Sequence, residues 1–572
     1  MTSSRVTFIH SPNRFYSEVQ NNGVIFMPVW AYTLASHIDP GKGYNLSLVD
    51  TRFENINDVD FAEVYLFSGI NQDLPDILQS KSALAARHPA AKFVIGGPIC
   101  WSFDQVGDLD KLDDFDYIVI GDGESVIGQL LAEILAGNAD EKVIRNKERY
   151  KLSESKPFYR QMVATTIDRY YGAVLEISRG CPFLCEFCDI RILPDNNRPH
   201  NKQVDLIVEE IEYLCSIGVR SFLLACDNFI GDPRWAEDVV DAILKWQETS
   251  DYRPVFYTWL TLNLYKMPDL MRKMRLAGFD SLFIGVESFN SNSLLETAKV
   301  QNTASGVIGA VKEIQSFGFP VVAGLIFGFD SDDENCFEST LDGLLEAALI
   351  SGDPSLLTAL PGTPLFKRMK LAGRIRDTKY GLGGFKYHTN IKYLLSKDFL
   401  IQGYLKFAVK LNSGAYQYAR FKAFLDNKDG ENYISLGGRS YFNPKLAIQV
   451  MRKNPAALKL TLHRLGAFVS SPANIWYLFK ALGYTMFKSK IEGRFSYFQF
   501  WFAIWTTIIV KYRGISAADF DIESLEGEVK TQHIIPDGYI DSAGEAIPEN
   551  KTLAQRRETL KSLELLVKQK IA

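Results

Sequence analysis

Three of the chain's seven cysteines fall within the single stretch "EISRGCPFLCEFCDI", which begins at Glu176 and ends at Ile190. Cys181, Cys185 and Cys188 directly follow a buried, strand-like apolar run, so we expect all three on one loop, here called the cysteine loop. The other four cysteines are scattered singly and offer no second cluster. Clustered thiols in a chain without a paired cysteine framework indicate a metal group rather than disulfides, and a reducing cytoplasm.

Three thiolates suit two kinds of metal group. They can hold three irons of a [4Fe–4S] cubane and leave the fourth iron open, whereas a closed ferredoxin-type cluster uses four cysteines. The alternative is a zinc site that Asp189 or His200 completes. Structural zinc sites usually combine paired Cys or His elements, and a lone triplet does not follow that pattern. We therefore favour the iron–sulfur cluster with one open iron.

The alternation of apolar runs and helical patterns predicts an α/β fold. At 572 residues the chain is too long for one compact core. Residues 1–150 show buried strands separated by helices, which is typical of a doubly wound, Rossmann-like parallel sheet. Residues 165–395 show about six longer β/α units, which predict a partial (β/α)6 barrel of the TIM type with its chemistry at the C-terminal strand ends. Residues 396–572 are expected to be mainly helical.

Glycines follow the last two predicted strands of the first domain. Gly96 and Gly97 come after "KFVI", and Gly121 and Gly123 come after "YIVI". Open parallel sheets bind ligands outside the carboxyl ends of their strands. We therefore expect these four glycines to contact a bound cofactor.

Residues 441–514 combine basic and aromatic residues. This stretch has eleven Lys and Arg and one acidic residue, a formal excess of +10, although the whole chain carries −5. The overall negative charge argues against a general nucleic-acid binder. The 15-residue run "SYFQFWFAIWTTIIV" is shorter than the roughly 20 residues of a spanning helix, which leaves a core helix, an interfacial element or a pocket wall. Cations among aromatic residues also suit a cytoplasmic protein that associates peripherally with the inner, anionic face of the membrane.

The spacing Cys-x3-Cys-x2-Cys on a loop after the first barrel strand resembles that of the radical S-adenosylmethionine (SAM) enzymes. In that family the open iron chelates the amino and carboxylate groups of SAM, and one electron from the cluster releases a 5′-deoxyadenosyl radical. The resemblance implies that Cys181, Cys185 and Cys188 hold a [4Fe–4S] cluster. It also implies an electron donor such as flavodoxin or ferredoxin.

Four positions match the family's adenine-binding pattern. Phe187 stands where the family places an aromatic residue against adenine. The stretch "GLIFGFD" matches the fifth-strand motif at Gly324, Ile326 and Gly328, with Asp330 where glutamate is commoner. Each match is weak alone, but together they are in register with the cysteine loop.

Four further positions stand where the family contacts the rest of SAM. Glu287 and Ser288 end the predicted fourth strand, where a polar side chain often meets the ribose or the methionine part. Asp227 and Asn228 end the second strand, where the family usually has a glycine pair and a glutamate for the amino group. This last pair departs from the family pattern. The resemblance assigns no side chain a catalytic role.

The first domain is similar to the cobalamin-binding domain of the cobalamin-dependent radical SAM subgroup, on the stretches "FMPVWAYTLASHI", "VIGGP" and "YIVIGDGES". The Asp-x-His-x-x-Gly motif, whose histidine ligates cobalt, occurs nowhere in the chain. The loop after the first strand reads "HSPNRFYSE", and His10 lies near the position of the missing ligand. Either cobalamin binds without a histidine ligand, which we favour, or the domain only packs against the barrel.

The stretches "DNFIG", "KVQN", "IFGFDSD" and "LTALPGTPLFKRMKLAGRI" are similar to the branch of hopanoid methylases, bacteriochlorophyll ring methylases and the anaerobic magnesium-protoporphyrin cyclase. This resemblance implies a hydrophobic small-molecule substrate, a lipid, isoprenoid or tetrapyrrole, and cobalamin-dependent methylation of an unactivated carbon. One alternative is a radical cyclisation, rearrangement or carbon–carbon coupling without cobalamin. Another is a non-catalytic iron–sulfur or zinc protein.

Overall fold

The computed structural model describes residues 4–13, 26–193, 196–302, 306–377, 387–428, 430–440, 447–448, 451–452 and 455–525. Two expectations therefore fall partly outside the described residues. The loop "HSPNRFYSE" is described only as far as Asn13, and the expected C-terminal region is described only as far as residue 525. Within the described ranges the predicted α/β class is confirmed.

The first sheet contains six parallel strands in the order β2-β1-β3-β4-β5-β6. They are β1 Arg5–His10, β2 Asn45–Asp50, β3 Val64–Ser68, β4 Lys92–Gly96, β5 Tyr117–Ile120 and β6 Val143–Arg145. The helices between them include Val29–Ala35, Leu74–Arg87, Pro98–Val106 and Ile127–Ala136. The predicted parallel sheet is confirmed, and its last strand β6 has only three residues. The central strands are almost fully buried, which explains their continuous Val, Ile and Leu runs.

The second sheet is the open barrel, with six parallel strands in the order β14-β13-β12-β11-β10-β7. They are β7 Ala173–Glu176, β10 Ser221–Ala225, β11 Val255–Leu260, β12 Phe279–Glu287, β13 Val321–Phe327 and β14 Asp353–Leu356. The accompanying helices are Arg160–Thr166, Val204–Ser216, Pro233–Thr249, Pro268–Ala277, Ser291–Glu296, Val307–Ser316, Cys336–Glu346 and Pro364–Leu371. All six expected barrel strands are confirmed.

Local sequence explains where several of these helices begin. The helix Pro233–Thr249 starts with proline, and its N-cap Asp232 accepts a hydrogen bond from the Trp235 N–H at 3.3 Å. The helix Pro364–Leu371 likewise follows Thr363, whose hydroxyl accepts from the Phe366 N–H at 3.2 Å. Proline in the first turn and a hydroxyl or carboxylate cap both favour helix initiation. The "PGTPLF" stretch is thus a turn that starts a helix.

The C-terminal region contains five described helices: Lys397–Asn412, Gly414–Asp426, Pro455–Val469, Pro472–Phe487 and Arg494–Tyr512. It also contributes β16 Asp521–Ser524, which pairs in parallel with β15 His388–Tyr393, a sheet that was not predicted. The aromatic run forms the helix Arg494–Tyr512, in which Trp501 and Trp505 are fully buried. Of the three interpretations, it is therefore a core helix. None of the described helices has the length and apolarity to cross a membrane.

Candidate active site

The residues expected to bind the cluster and SAM gather at the C-terminal edge of the barrel sheet. The cysteine loop follows β7 and is closed at its base by the short pair β8 Ser178–Arg179 and β9 His200–Asn201. The other residues stand at the ends of neighbouring parallel strands, which share one edge of the sheet: Asp227 and Asn228 after β10, Glu287 and Ser288 at β12, and Gly324, Ile326 and Gly328 along and after β13.

The three thiols of the cysteine loop lie near one another. Cys185 is buried, and Cys181 and Cys188 are half-buried. Burial, together with the neighbouring Cys185, raises the pKa of Cys181 to about 11. Burial also raises the pKa of Cys188, with contributions from Asp189, Cys185 and Cys181. Uncompensated thiolates are therefore disfavoured at Cys181 and Cys188, and a cationic metal group is what would stabilise them.

Side-chain amides donate to two of these sulfurs. The Asn228 Nδ2 donates to Cys181 Sγ at 3.8 Å, and the Gln301 Nε2 donates to Cys185 Sγ at 3.5 Å. Among the described residues, no three Cys, His, Asp or Glu side chains surround a single ion. A cubane does not require that convergence, because each cysteine binds a different iron. Amide donors to cysteine sulfur are one means by which proteins tune such clusters, so the donor set fits an iron–sulfur cluster.

Asp227 and Asn228 both hold the cysteine loop and its base. The Asp227 carboxylate accepts a hydrogen bond from the Gly180 N–H at 2.6 Å, and burial raises the pKa of Asp227 to about 6. The Asn228 Oδ1 faces the Thr261 N–H at 3.3 Å, while its amide nitrogen donates to Cys181. These contacts connect the ends of β10 and β11 to the loop.

Glu287 has a partner that the sequence did not reveal. Its carboxylate lies 2.8 Å from Lys299 Nζ, and both side chains are about nine-tenths buried. Glu287 adopts a positive φ of 64° where the β12–β13 register shifts. Asn302 fixes this bend by donating to the Gly285 and Val286 carbonyls at 2.9 and 3.0 Å. The "KVQN" stretch could have indicated these contacts, because its lysine pairs with Glu287 and its asparagine donates to the carbonyls at the end of β12.

Lys299 also approaches the expected adenine residue. Its Nζ lies 5.8 Å from the centre of the Phe187 ring. Burial acts to lower the pKa of Lys299, but the Glu287 carboxylate and the Cys185 sulfur raise it above the ordinary value overall. The cation therefore stands among Phe187, Glu287 and the cysteine loop, where an anionic group would bind favourably.

The expected adenine strand packs too closely for larger side chains. A Cβ at Gly324 would lie 3.1 Å from the Phe283 ring, and one at Gly328 would lie 2.6 Å from the Tyr393 ring. Ile326 is half-buried. Asp330, which replaces the commoner glutamate, is engaged elsewhere in ion pairs with Arg368 at 2.8 Å and Arg374 at 2.7 Å.

A cavity of about 620 Å³ lies between the first sheet and the barrel. All four predicted glycines line it. From the barrel side it is lined by Glu176, Arg179, Asp189, Asp227 and Trp259. Apolar residues, including Trp30, Leu34 and Trp101, form much of its wall. The ligand-binding edges of both sheets therefore open into one space, next to the cysteine loop.

Arg179 bridges the two sides of this cavity. Its guanidinium pairs with Glu176 at 2.7 Å on the barrel side, and with Asp122 at 3.3 Å and Glu124 on the first-sheet side. Arg149 also pairs with Asp122 at 3.2 Å. No sequence motif predicts this network, because its members are single charged residues in separate segments of the chain.

His10 is not among the residues that line this cavity. Its Nδ1 accepts a hydrogen bond from the Trp30 indole N–H at 3.4 Å, and Trp30 itself lines the cavity. Burial lowers the pKa of His10 to about 4. The imidazole is therefore neutral at physiological pH and is used in packing Trp30.

Comparison with known proteins identifies the barrel. The radical SAM superfamily matches residues 175–344, which span the cysteine loop and the expected SAM-binding strands. Residues 175–344 are a radical SAM domain. This radical SAM domain implies a [4Fe–4S] cluster and SAM, so both cofactors expected from the cysteine loop are confirmed at the level of the domain.

Two curated relatives of this chain are methyltransferases. The chain is 30% identical over 369 residues to an uncharacterized methyltransferase of Synechocystis sp., covering 64% of this chain and 66% of that protein. It is 26% identical over 419 residues to the hopanoid C-2 methylase of Rhodopseudomonas palustris, covering 69% of this chain and 72% of the methylase. The chain thus spans about two thirds to three quarters of their lengths. The expected similarity to hopanoid methylases is confirmed.

A solved structure shares the overall arrangement. The cobalamin-dependent SAM radical enzyme OxsB, with aqua-cobalamin and SAM bound, superimposes with a TM-score of 0.57 at 12% identity. The superposition covers 98% of this chain and 84% of that one. At this identity the likeness shows the fold, a parallel sheet preceding a radical SAM barrel.

Proposed function

We propose that this radical SAM enzyme is a cobalamin-dependent methyltransferase that methylates an unactivated carbon of a hydrophobic substrate. The observation that carries the proposal is the single cavity beside the cysteine loop. It brings Gly96, Gly97, Gly121 and Gly123 of the first sheet together with Asp189, the residue after Cys188. A methyl donor on the first sheet and a radical formed at the barrel would act in the same enclosed space.

In this proposal the cysteine loop holds the cluster. Cys181, Cys185 and Cys188 bind three irons, and Asn228 and Gln301 donate to two of the sulfurs. With the cluster, SAM and cobalamin held there, these groups would supply radical hydrogen abstraction and methyl transfer. The protein's part is to exclude water and to fix the reacting groups at short range, because such radicals react with whatever lies nearby.

SAM would contact the residues at the ends of β10, β12 and β13. Phe187 and the strand positions Gly324, Ile326 and Gly328 form the adenine side. Lys299, held by Glu287, offers a cation to an anionic group of SAM. The remaining polar positions toward the methionine part are Asp227, Asn228, Glu287 and Ser288.

The expected substrate class is a lipid, isoprenoid or tetrapyrrole. The apolar wall formed by Trp30, Leu34 and Trp101 supports a hydrophobic ligand environment. The hopanoid C-2 methylase among the relatives supports the same class. We place the activity in the cytoplasm, at the inner face of the membrane, with a flavodoxin or ferredoxin as electron donor.

The test is the cofactor content of the full chain after anaerobic purification and reconstitution with iron, sulfide and hydroxocobalamin. We expect four irons and four sulfides per chain, together with one corrinoid. Cys185→Ala should lose the cluster and SAM cleavage. Cys215→Ala, which removes a buried thiol from the helix Val204–Ser216, is the matched control and should keep both.

Gly123→Phe tests the corrinoid assignment, because the new ring would occupy the cavity wall near Leu34. It should lower corrinoid occupancy and leave the iron content unchanged. Gly309→Phe, on an exposed position with open space around it, is the control. A chain that cleaves SAM but retains no corrinoid would refute cobalamin-dependent methylation and favour one-SAM rearrangement or cyclisation chemistry.

A further inference from the structure

Two consecutive C-terminal helices present apolar side chains to solvent. In the helix Pro455–Val469, the exposed residues are Leu458, Leu462, Leu465 and Val469, each between 42 and 61% exposed. Their spacing places them along one face of the helix. In the helix Pro472–Phe487, they are Trp476, Phe479, Met486 and Phe487, with Phe487 80% exposed. These eight residues are called the apolar helix surface.

The second helix turns its small and polar residues inward. Asn474, Ala481 and Thr485 are buried, while Trp476 and Phe479 on the other side are exposed at 59 and 63%. This helix packs against the helix Gly414–Asp426 and also contacts the helix Pro455–Val469. Surface helices normally bury their apolar face against the core. The reversed polarity here indicates that the apolar face has a partner other than the described residues of the chain.

The charged residues within and directly after these two helices are almost all positive. Between residues 455 and 494 the sequence has six Lys and Arg and one acidic residue, Glu492. The exposed lysines are Lys459, Lys480, Lys488 and Lys490. The Lys480 Nζ lies 5.3 Å from the centres of the Trp476 and Tyr477 rings. An ammonium group therefore stands directly beside the exposed indole.

We infer that the apolar helix surface docks peripherally on an anionic lipid bilayer. Trp and Phe side chains would enter the boundary between headgroups and acyl chains, while the lysines contact anionic headgroups. A second copy of the chain is a poorer partner, because its own lysines would meet these lysines across the interface. The inference deepens the membrane location in the proposed function, and it requires neither cobalamin nor methyl transfer.

The experiment measures co-sedimentation of the full chain with two kinds of vesicle, phosphatidylcholine alone and phosphatidylcholine mixed with phosphatidylglycerol. We expect much stronger binding to the anionic vesicles, weakening with salt because exposed charges are screened over about 10 Å at 0.1 M. Phe479→Ser combined with Phe487→Ser should lower the partition coefficient about tenfold or more. Lys480→Glu combined with Lys488→Glu should lower it about tenfold at low salt.

Arg494 is a poor choice for such a test, because its guanidinium holds the Thr485 and Ile491 carbonyls at 2.9 and 3.3 Å. The control is Phe61→Ser, which removes a 41%-exposed ring from the first domain and should bind vesicles as the wild type does. SAM cleavage in solution is measured in parallel and should be unchanged in every variant. If the wild-type protein does not cleave SAM, the proposed enzyme activity is refuted, but the result of the vesicle-binding experiment still stands.

Equal binding to neutral and anionic vesicles, or binding to neither, would overturn the inference. So would a concentration-dependent dimer in sedimentation velocity that Phe479→Ser disrupts, because the surface would then be an interface between copies. Vesicle binding that survives both double substitutions would also overturn it, since another surface would be responsible.

Discussion

Glu186 receives two hydrogen bonds from the Arg368 guanidinium, from Nε at 2.9 Å and from Nη2 at 3.1 Å. Glu186 lies between Cys185 and Phe187, and Arg368 lies in the helix that follows "PGTP". Both side chains are at most 1% exposed. Arg368 also pairs with Asp330 at 2.8 Å, just beyond β13. One buried guanidinium thus ties the cysteine loop to the end of the expected adenine strand.

Arg368→Met should release the cysteine loop. The substitution leaves the Glu186 carboxylate buried without its cation, and breaking a buried pair on one side costs about 3–5 kcal/mol. We expect the free energy of unfolding to fall by that amount and iron retention to fall with it. Urea unfolding and iron content after anaerobic gel filtration measure the two effects.

Arg145→Met is the matched control. Arg145 pairs with Asp104 at 2.7 Å, but its side chain is 47% exposed, so the pair contributes at most about 1 kcal/mol. Iron content should remain at the wild-type value. If Arg368→Met behaves like this control, the Glu186–Arg368 pair is not needed to hold the loop.

The elements of the fold were predictable because each is encoded locally. The buried strands β3, β4 and β13 are runs of apolar residues bounded by glycine or helix signals, and such runs identify strands without knowledge of their neighbours. The parallel pair β15–β16 was missed. Its strands read "HTNIKY" and "DIES", mix polar and apolar residues, and join segments far apart in the chain.

The candidate site was predictable only where a motif fixes the spacing. The cysteine loop and the glycines fall into known patterns, whereas the partners of charged residues do not. Arg368 contacts Glu186 across 182 positions, and Arg179 contacts Glu124 across 55. These charged residues form buried ion pairs with partners that are distant in the chain, and no local sequence pattern predicts such a pairing.

Asp332 should make stability fall as pH rises. Its carboxylate accepts hydrogen bonds from Ser293 and from the Gly328 and Phe329 N–H groups, yet burial raises its pKa from 3.8 to about 6. A raised folded-state pKa gives a contribution that is complete below pH 3.8 and lost as pH rises through 6. This group alone should lower the free energy of unfolding by roughly 2–3 kcal/mol over that window.

Asp332→Asn is the comparison, because an amide keeps the acceptor oxygen and cannot ionise. The difference in unfolding free energy between wild type and variant should grow in favour of the variant as pH rises from 4 to 6. Denaturant titrations at several pH values measure it. A pH-independent difference would show that Asp332 ionises normally in the folded protein.

The Lys299–Glu287 pair should show strong coupling. Lys299→Met leaves a buried carboxylate and Glu287→Gln leaves a buried ammonium, whereas the double variant leaves neither charge unpaired. We expect each single substitution to cost about 3–5 kcal/mol and the double variant to cost less than their sum. Urea unfolding of the four proteins gives the coupling energy.

The same four proteins test the role of Lys299 toward SAM. If its cation faces an anionic group of SAM, both variants that lack it should bind SAM more weakly in equilibrium dialysis of the reconstituted protein. The double variant would then be stable but poor in SAM binding. Restored SAM binding in the double variant would mean that Lys299 serves only to neutralise Glu287.

His10→Ala should leave corrinoid binding unchanged. The His10 Nδ1 accepts a hydrogen bond from the Trp30 indole N–H, and burial lowers the pKa of His10 to about 4. His10 is therefore a neutral packing residue at the end of β1. Trp30, in contrast, lines the cavity, and Trp30→Ala removes a large apolar surface from its wall. We therefore expect Trp30→Ala to lower corrinoid occupancy, while His10→Ala keeps both the occupancy and an absorbance spectrum that lacks an axial imidazole. A spectrum that shows imidazole ligation in the wild type and loses it in His10→Ala would make His10 the cobalt ligand, and its contact with Trp30 would then have to break when the corrinoid binds.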